Sequence, residues 1–262
     1  MLNETTINVM NALKLHGMAK GFELRLGDSK QAGLSHAEFT GMLVEDEKIY
    51  RENRRLQRLL AQARLRQQAA MEDIDYRHAR GINRQIMAEL AGSQWMQAHR
   101  TVIISGPTGI GKSYIACALG NHAARAGFTV QYFRAPRLFE QMMQSRGDGG
   151  HLKLLAKLSR VQVLVIDDLL MTPMTEEERR DFMEIVEDRY ECSATVISSQ
   201  CPMNKWHAGI GDDTIADAIC DRLFHNAYRI ELKGNSIRNT KKKADGSETD
   251  KDGNLKSGGD KS

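Results

Sequence analysis

At 262 residues the chain has room for one large domain or for a large and a small one, and its 41% hydrophobic and 27% charged residues suit a soluble globular protein. A formal net charge of +3 is too small to argue for nucleic acid by itself, so the placement of the positive charges matters more than their sum. The four cysteines show no C-x-x-C pair and no zinc-finger spacing, there is no signal pattern, and no apolar run approaches membrane-spanning length; the expectation is a cytoplasmic protein with reduced thiols and no membrane partner.

Residues 1–69 read as a small all-helical N-terminal domain without β-branched runs. Ser35-His-Ala-Glu38 is a capping box, followed at helical spacing by Phe39, Met42, Leu43, Ile49 and Tyr50. Farther on, Leu56, Leu59, Leu60 and Ala63 share one helical face, while Lys48, Arg51, Arg54, Arg55, Arg58 and Arg66 gather roughly opposite. A basic face with Glu52 nearby suits contact with a phosphate backbone, and it equally suits a solvated surface or an acidic neighbouring subunit. Residues 70–98 read as a connector plus a helix, with an amphipathic run from Ile82 to Trp95 that buries Ile82, Ile86, Met87 and Leu90. Tyr76 and Arg77 either approach a nucleotide base or pack within this linker.

From residue 99 strands and helices alternate, the pattern of a parallel α/β sheet flanked by helices, and this domain extends to about residue 238. Thr101–Ser105 is a strand that feeds Gly106-Pro107-Thr108-Gly109-Ile110-Gly111-Lys112-Ser113, with Tyr114 next and a helix running to Ala126. This is G-x-x-x-x-G-K-S in its required strand–loop–helix setting. The glycines let the backbone curl so that N–H groups and the helix N-terminus cradle phosphates. Lys112 supplies charge to the β- and γ-phosphates of ATP, and the Ser113 hydroxyl suits a Mg²⁺ ligand.

Further strands are expected at 129–133, 161–166, 193–198 and 228–232, and further helices at 136–144, 151–158, from Thr175 onward, and 213–224. The strand ending in Asp167 and Asp168 puts carboxylates at the C-terminal edge of the sheet, where open α/β folds bind ligands. Asp167 is expected to hold Mg²⁺ and Asp168 to polarise the attacking water. The next strand ends in Ser198-Ser199-Gln200, and Gln200, ahead of Ser199, is the candidate to sense the γ-phosphate. Arg222 lies at the edge of the Ile215, Ile219, Leu223 stripe, and there it either pairs with an acid or reaches across an interface to a phosphate bound by another subunit. Residues 239–262, including Lys241 to Lys243, offer almost nothing to bury and read as a disordered tail.

Taken together, the loop at 106–113, Leu164-Val-Ile-Asp-Asp168, Val196-Ile-Ser-Ser-Gln200 and Asp221-Arg-Leu-Phe-His-Asn-Ala-Tyr-Arg-Ile-Glu-Leu-Lys-Gly234 resemble the IstB family of transposition helper proteins. Glu72–Arg77, Glu187–Tyr190, Trp206–Asp213 and Asn11–Ala19 fit the same family, so the likeness spans about residues 1–238. The resemblance implies an AAA+ P-loop NTPase nearest to replication initiators and helicase loaders. It further implies a homo-oligomer with ATP at subunit interfaces, assembly on duplex DNA with little regard for sequence, and stimulation of a transposase from the same insertion sequence. By the same resemblance Arg222 falls on the arginine-finger position and Gln200 on sensor 1. An added helical element at 134–160 would face DNA, making Arg137, Lys153, Lys157 and Arg160 contact candidates beside Arg51, Arg54, Arg55 and Arg58.

Two departures stand out. Asp168 replaces the glutamate of many AAA+ proteins, which implies slow hydrolysis, and no lid with a sensor-2 arginine follows Leu232, leaving Arg238 as a bare candidate. The rival readings are a helicase loader, a small-molecule P-loop kinase, for which neither acceptor pocket nor lid is evident, and a non-enzymatic DNA architectural protein.

Overall fold

The computed structural model describes residues 2–26, 34–76 and 81–234; Arg77, Arg238 and the 239–262 segment lie outside the described residues. Three helices lead the chain: α1 (Leu2–Ala12), α2 (His16–Arg25) and α3 (His36–Ala63). The capping box at the start of α3 forms, with Glu38 N donating to Ser35 Oγ at 3.2 Å and Ser35 N donating to Glu38 Oε2 at 2.8 Å. α2 crosses α3 at Gly17, where a Cβ would lie 2.5 Å from the Asp46 carbonyl oxygen, so only glycine allows this approach. At the crossing, buried Glu47 accepts from Gly17 N at 2.6 Å and Met18 N at 3.1 Å, capping α2 from the neighbouring helix, and takes Arg51 Nε at 2.7 Å. Burial alone would raise the Glu47 carboxyl, but Arg51 and the two amides hold it below the ordinary carboxylate range.

The far end of α3 belongs to a different neighbourhood. Leu59 and Ala63 are buried in the same apolar cluster as Ile115, Cys117 and Leu119 of the helix behind the glycine loop. The amphipathic run from Ile82 to Trp95 is not one helix. It divides into α4 (Arg84–Leu90) and α5 (Gln94–Gln97), interrupted at Gly92 and Ser93, both poorer helix formers than their neighbours, and Trp95 Nε1 turns back to donate to the Leu90 carbonyl at 3.1 Å.

The sheet contains β1 (Thr101–Ser105), β2 (Val130–Arg134), β3 (Val163–Leu169), β4 (Ala194–Ser199) and β5 (Tyr228–Glu231), all parallel in the order β2-β3-β4-β1-β5. The flanking helices are α6 (Lys112–Arg125), α7 (Ala135–Gly147), α8 (His151–Arg160), α9 (Glu176–Arg189), α10 (Trp206–Ile210) and α11 (Asp213–Phe224). Strand alternation builds a core on each face. Val102, Ile104, Val163, Val165 and Val196 pack against α6 and the end of α3, whereas Ile103, Leu164, Ile166 and Ile197 pack against α7, α9 and α11. β3 runs through the acids to Leu169, beyond its expected end at Ile166, and α10 answers to no expected helix. Among the described residues no helix is long and apolar enough to cross a membrane.

Candidate nucleotide site and cationic groove

Strand β4 separates β1 from β3, so the loop after β1 and the acids at the end of β3 meet across the end of β4. The loop leaves β1 under constraint. Gly106 has φ 146°, and a Cβ there would lie 2.4 Å from the Leu232 carbonyl oxygen, just where Leu232 N donates to Ser105 O at 2.8 Å. Pro107 and Thr108 are exposed, Gly109 and Gly111 have positive φ, and Ile110 is buried in the core. Lys112 opens α6 and donates from Nζ to the Pro107 carbonyl at 2.9 Å. Burial holds its ammonium below the ordinary lysine range, with Asp168 and Asp167 pulling the other way. A cation turned into its own glycine loop and poorly hydrated is well suited to take a phosphate. Tyr114 is half-buried and packs against the core on the first turn of α6.

Asp167 is fully buried and fully engaged. Oδ1 accepts from Ser113 Oγ at 3.0 Å and from Ser198 Oγ, and Oδ2 accepts from Tyr132 Oη at 2.6 Å. Burial and that carboxylate push the Tyr132 phenol up, so it stays a donor. The pairing of a hydroxyl and a buried carboxylate between loop helix and acidic strand has the oxygen donors that Mg²⁺ prefers. β3 is irregular at this point, between Ile166 and Leu169. Asp168 takes φ 60°, and its N–H donates to Ser198 Oγ at 3.2 Å. A left-handed aspartate in a strand re-aims its side chain, as a bulge does. Here the carboxylate turns to Arg134, with Nε at 3.1 Å and Nη2 at 2.9 Å from Oδ2, and Arg66 Nη1 stands 3.7 Å from the same oxygen and 3.8 Å from Asp167 Oδ2.

Gln200 reaches the loop, its Oε1 accepting from Thr108 Oγ1 at 2.6 Å. Ser199 does not, since its hydroxyl donates to the Leu169 carbonyl and accepts from Cys201 N. Ser198, Tyr132, Arg134 and the placement of Arg66 join the site only through the fold. The β2–β3 register sets Arg134 opposite Asp167, so the polar end of β2 was the available signal. Arg222 lies elsewhere, in a small cavity it lines with His99, Thr101, Ser193 and Thr195, at the edge where β1 and β4 begin. Its Nε is 2.7 Å from Glu187 Oε2, and Nη1 donates to the Ala218 carbonyl at 3.1 Å.

The basic residues also divide. Arg58 at the end of α3 shares a groove with Lys153, Lys157 and Arg160 of α8, joined by Arg64, and among the described residues no carboxylate lines it. Arg51 is taken by Glu47, Arg137 by Glu140 at 2.7 Å, Arg55 donates to the Gly127 carbonyl at 3.3 Å, and Arg54 stacks over Tyr50 at 5.9 Å. The expected basic stripe on one helix is therefore broken. Acids one turn away neutralise part of it, and α3 ends at Ala63, which removes Arg66 from the stripe altogether. Tyr76 packs against the core with Arg84 over its ring at 5.7 Å, the second of the two roles its sequence leaves open.

The profile of the IstB-like ATP binding proteins matches residues 8–245. An insertion sequence ATP-binding protein of Sinorhizobium fredii is 45% identical over 243 residues, covering 93% of this chain and 99% of that protein. The ATP-binding protein of insertion sequence IS1162 from Pseudomonas fluorescens is 36% identical over 210 residues, 80% of this chain and 91% of that one. Among solved structures, the crystal structure of DnaI superposes with a TM-score of 0.55 at 21% identity, covering 68% of this chain and 94% of that chain, a likeness of fold alone: the AAA+ P-loop fold.

Proposed function

The chain belongs to the family of IstB-like ATP binding proteins, and from that premise we propose that it is an ATP-hydrolysing helper of transposition that assembles on duplex DNA, remodels it and stimulates a partner transposase. The observation that carries the reading is the convergence of Lys112, Ser113, Asp167 and Asp168 at one edge of the sheet, with Gln200 already bonded to the loop. Lys112 leaves the Pro107 carbonyl for the β- and γ-phosphate oxygens of ATP, and the amides at the start of α6 receive the same phosphates. Ser113 and Asp167 would hold Mg²⁺, which would supply positive charge to offset that of the phosphates. Asp168, once released by its arginine partners, orients the attacking water, and Gln200 exchanges Thr108 for the γ-phosphate.

Arg222 sits on the edge of the sheet away from its own loop, so its role as a finger is toward a second copy, after it parts from half-exposed Glu187. This makes ATP a component of the subunit interface and hydrolysis the step that dissolves it. The groove between α3 and α8 suits a phosphate backbone, since its five cations meet no carboxylate among the described lining residues and recognise charge rather than bases. Sedimentation velocity with and without ATP and duplex DNA tests the assembly. The expected result is a large species that needs both ligands, and a monomer under every condition would overturn the reading.

A further inference from the structure

One short turn carries an arginine to each of the two sites. α3 ends at Ala63, and Arg64 then adopts a left-handed conformation, φ 50° and ψ 39°, that swings the chain across α6. Arg64 lines the cationic groove with Arg58, Lys153, Lys157 and Arg160. Two residues later, the Arg66 guanidinium lies 3.7 Å from Asp168 Oδ2 and 3.8 Å from Asp167 Oδ2. Between them Leu65 bears on α6 at Gly120, where a Cβ would come within 2.8 Å of Leu65 Cδ2. The turn is thus pinned at its middle, with one charged arm in the groove and the other at the catalytic acids.

We propose that this turn couples a polyanion seated in the groove to the acid pair, with Arg66 as a positioning residue for Asp168. Asp168 is shared by two guanidiniums, Arg134 in a close pair and Arg66 at longer range. A phosphate drawing Arg64 and the end of α3 into the groove displaces the other arm about Leu65. Asp168 then loses one of its two cationic neighbours, and its carboxylate becomes a freer acceptor for water. Duplex DNA therefore raises the hydrolysis rate, and by linkage DNA and nucleotide alter each other's affinity by one common factor. The proposal rests on the ATPase reading, yet its affinity arm does not require turnover.

The test uses the full chain and its Arg66→Ala and Arg66→Lys variants. Two ratios are measured with and without saturating duplex DNA: the ATP hydrolysis rate, and the affinity for a non-hydrolysable ATP analogue. In the native chain DNA changes the affinity by at least about fivefold, the low end for coupled sites. In Arg66→Ala both ratios collapse toward one while the salt dependence of DNA binding is retained, and Arg66→Lys restores part of the response. A purely structural role would lower rates with and without DNA alike and leave the ratios unchanged. Ratios in Arg66→Ala equal to the native ones, or a native chain whose nucleotide affinity ignores DNA, would overturn the proposal. A native chain that shows the affinity coupling but never turns over would instead refute the hydrolysis reading and leave the coupling standing.

Discussion

The groove between α3 and α8 makes a quantitative demand on DNA binding. Arg58, Arg64, Lys153, Lys157 and Arg160 line it, with no carboxylate among the described residues of its lining. If each neutralises one phosphate of B-form DNA, the slope of log affinity against log salt is about −4.5 per subunit, at about −0.9 per contact. The double variant Lys153→Ala/Lys157→Ala keeps three of the five contacts, for a slope of about −2.7. Raising salt fourfold, from about 50 to about 200 mM, then weakens the native chain about 500-fold but the variant only about 40-fold. Fluorescence anisotropy of a labelled duplex at fixed assembly state reads both slopes. Arg137→Ala is the control: its guanidinium is 2.7 Å from Glu140 on its own helix, so the pair presents little free charge and the native slope persists. A double variant with the native slope, or a control that falls as far as the double variant, would refute the assignment of the groove.

Lys112→Ala should abolish ATP binding by calorimetry, and retained affinity would remove Lys112 from the phosphate site. Asp168→Asn should bind ATP normally, hydrolyse it at least about a hundredfold more slowly, and accumulate as a DNA complex; ordinary turnover would deny Asp168 its role. Arg222→Ala should lose about a thousandfold in hydrolysis, and mixing it with Lys112→Ala subunits should recover measurable turnover, because each mutant supplies what the other lacks. No recovery on mixing would argue against a finger acting between subunits. The Glu47 carboxyl is held below its ordinary value of 4.5 in the folded chain, so its stabilising contribution is present above that pH and is lost as pH falls through the lower, folded value. The protection factors of the Gly17 and Met18 amides, taken relative to their intrinsic exchange rates at each pH, should therefore fall on acidification from about pH 4.5 downward, and Glu47→Gln should already lack that protection at neutral pH. Protection indifferent to pH across that range would show that Glu47 does not cap α2.

What the sequence made legible is what chain-neighbours encode. Gly106–Ser113 is read from spacing because its function depends on consecutive amides and the helix that follows them. The same holds for the capping box at Ser35, which forms, as does a second at Thr175. Legibility fails where the partner is distant. By helical period Arg66 falls on the basic face of α3, because the period carries past Ala63 and nothing local announces the left-handed turn at Arg64. Tyr132 and Arg134 become readable only once β2 is known to lie beside β3 in the register that sets Arg134 against Asp167. Arg189 is a sharper case. An arginine at the end of an acidic helix reads as surface charge, yet it is buried, donating to the carbonyls of Leu158, Val161 and Ala194 and to Thr195 Oγ1, with burial pulling its guanidinium down to about 10. It joins the end of α8 to the start of β4, a contact set by tertiary structure alone.

Arg222 shows how position can decide between roles that spacing leaves open. The helical wheel places it at the edge of an apolar stripe, where it either pairs with an acid or crosses an interface. Within this chain the first role is filled, by Glu187. The two roles are nevertheless not exclusive, because Arg222 borders Thr101 and Ser193, where β1 and β4 begin, whereas the glycine loop and Asp167 stand where β1 and β3 end. The strands span the distance between those edges, so Arg222 cannot act on its own loop without dismantling the sheet. Any action on a phosphate must therefore be on another subunit's. The Glu187 pair, whose carboxylate is 53% exposed and screened by water, is weak enough to be exchanged for a triphosphate should a second subunit bring one.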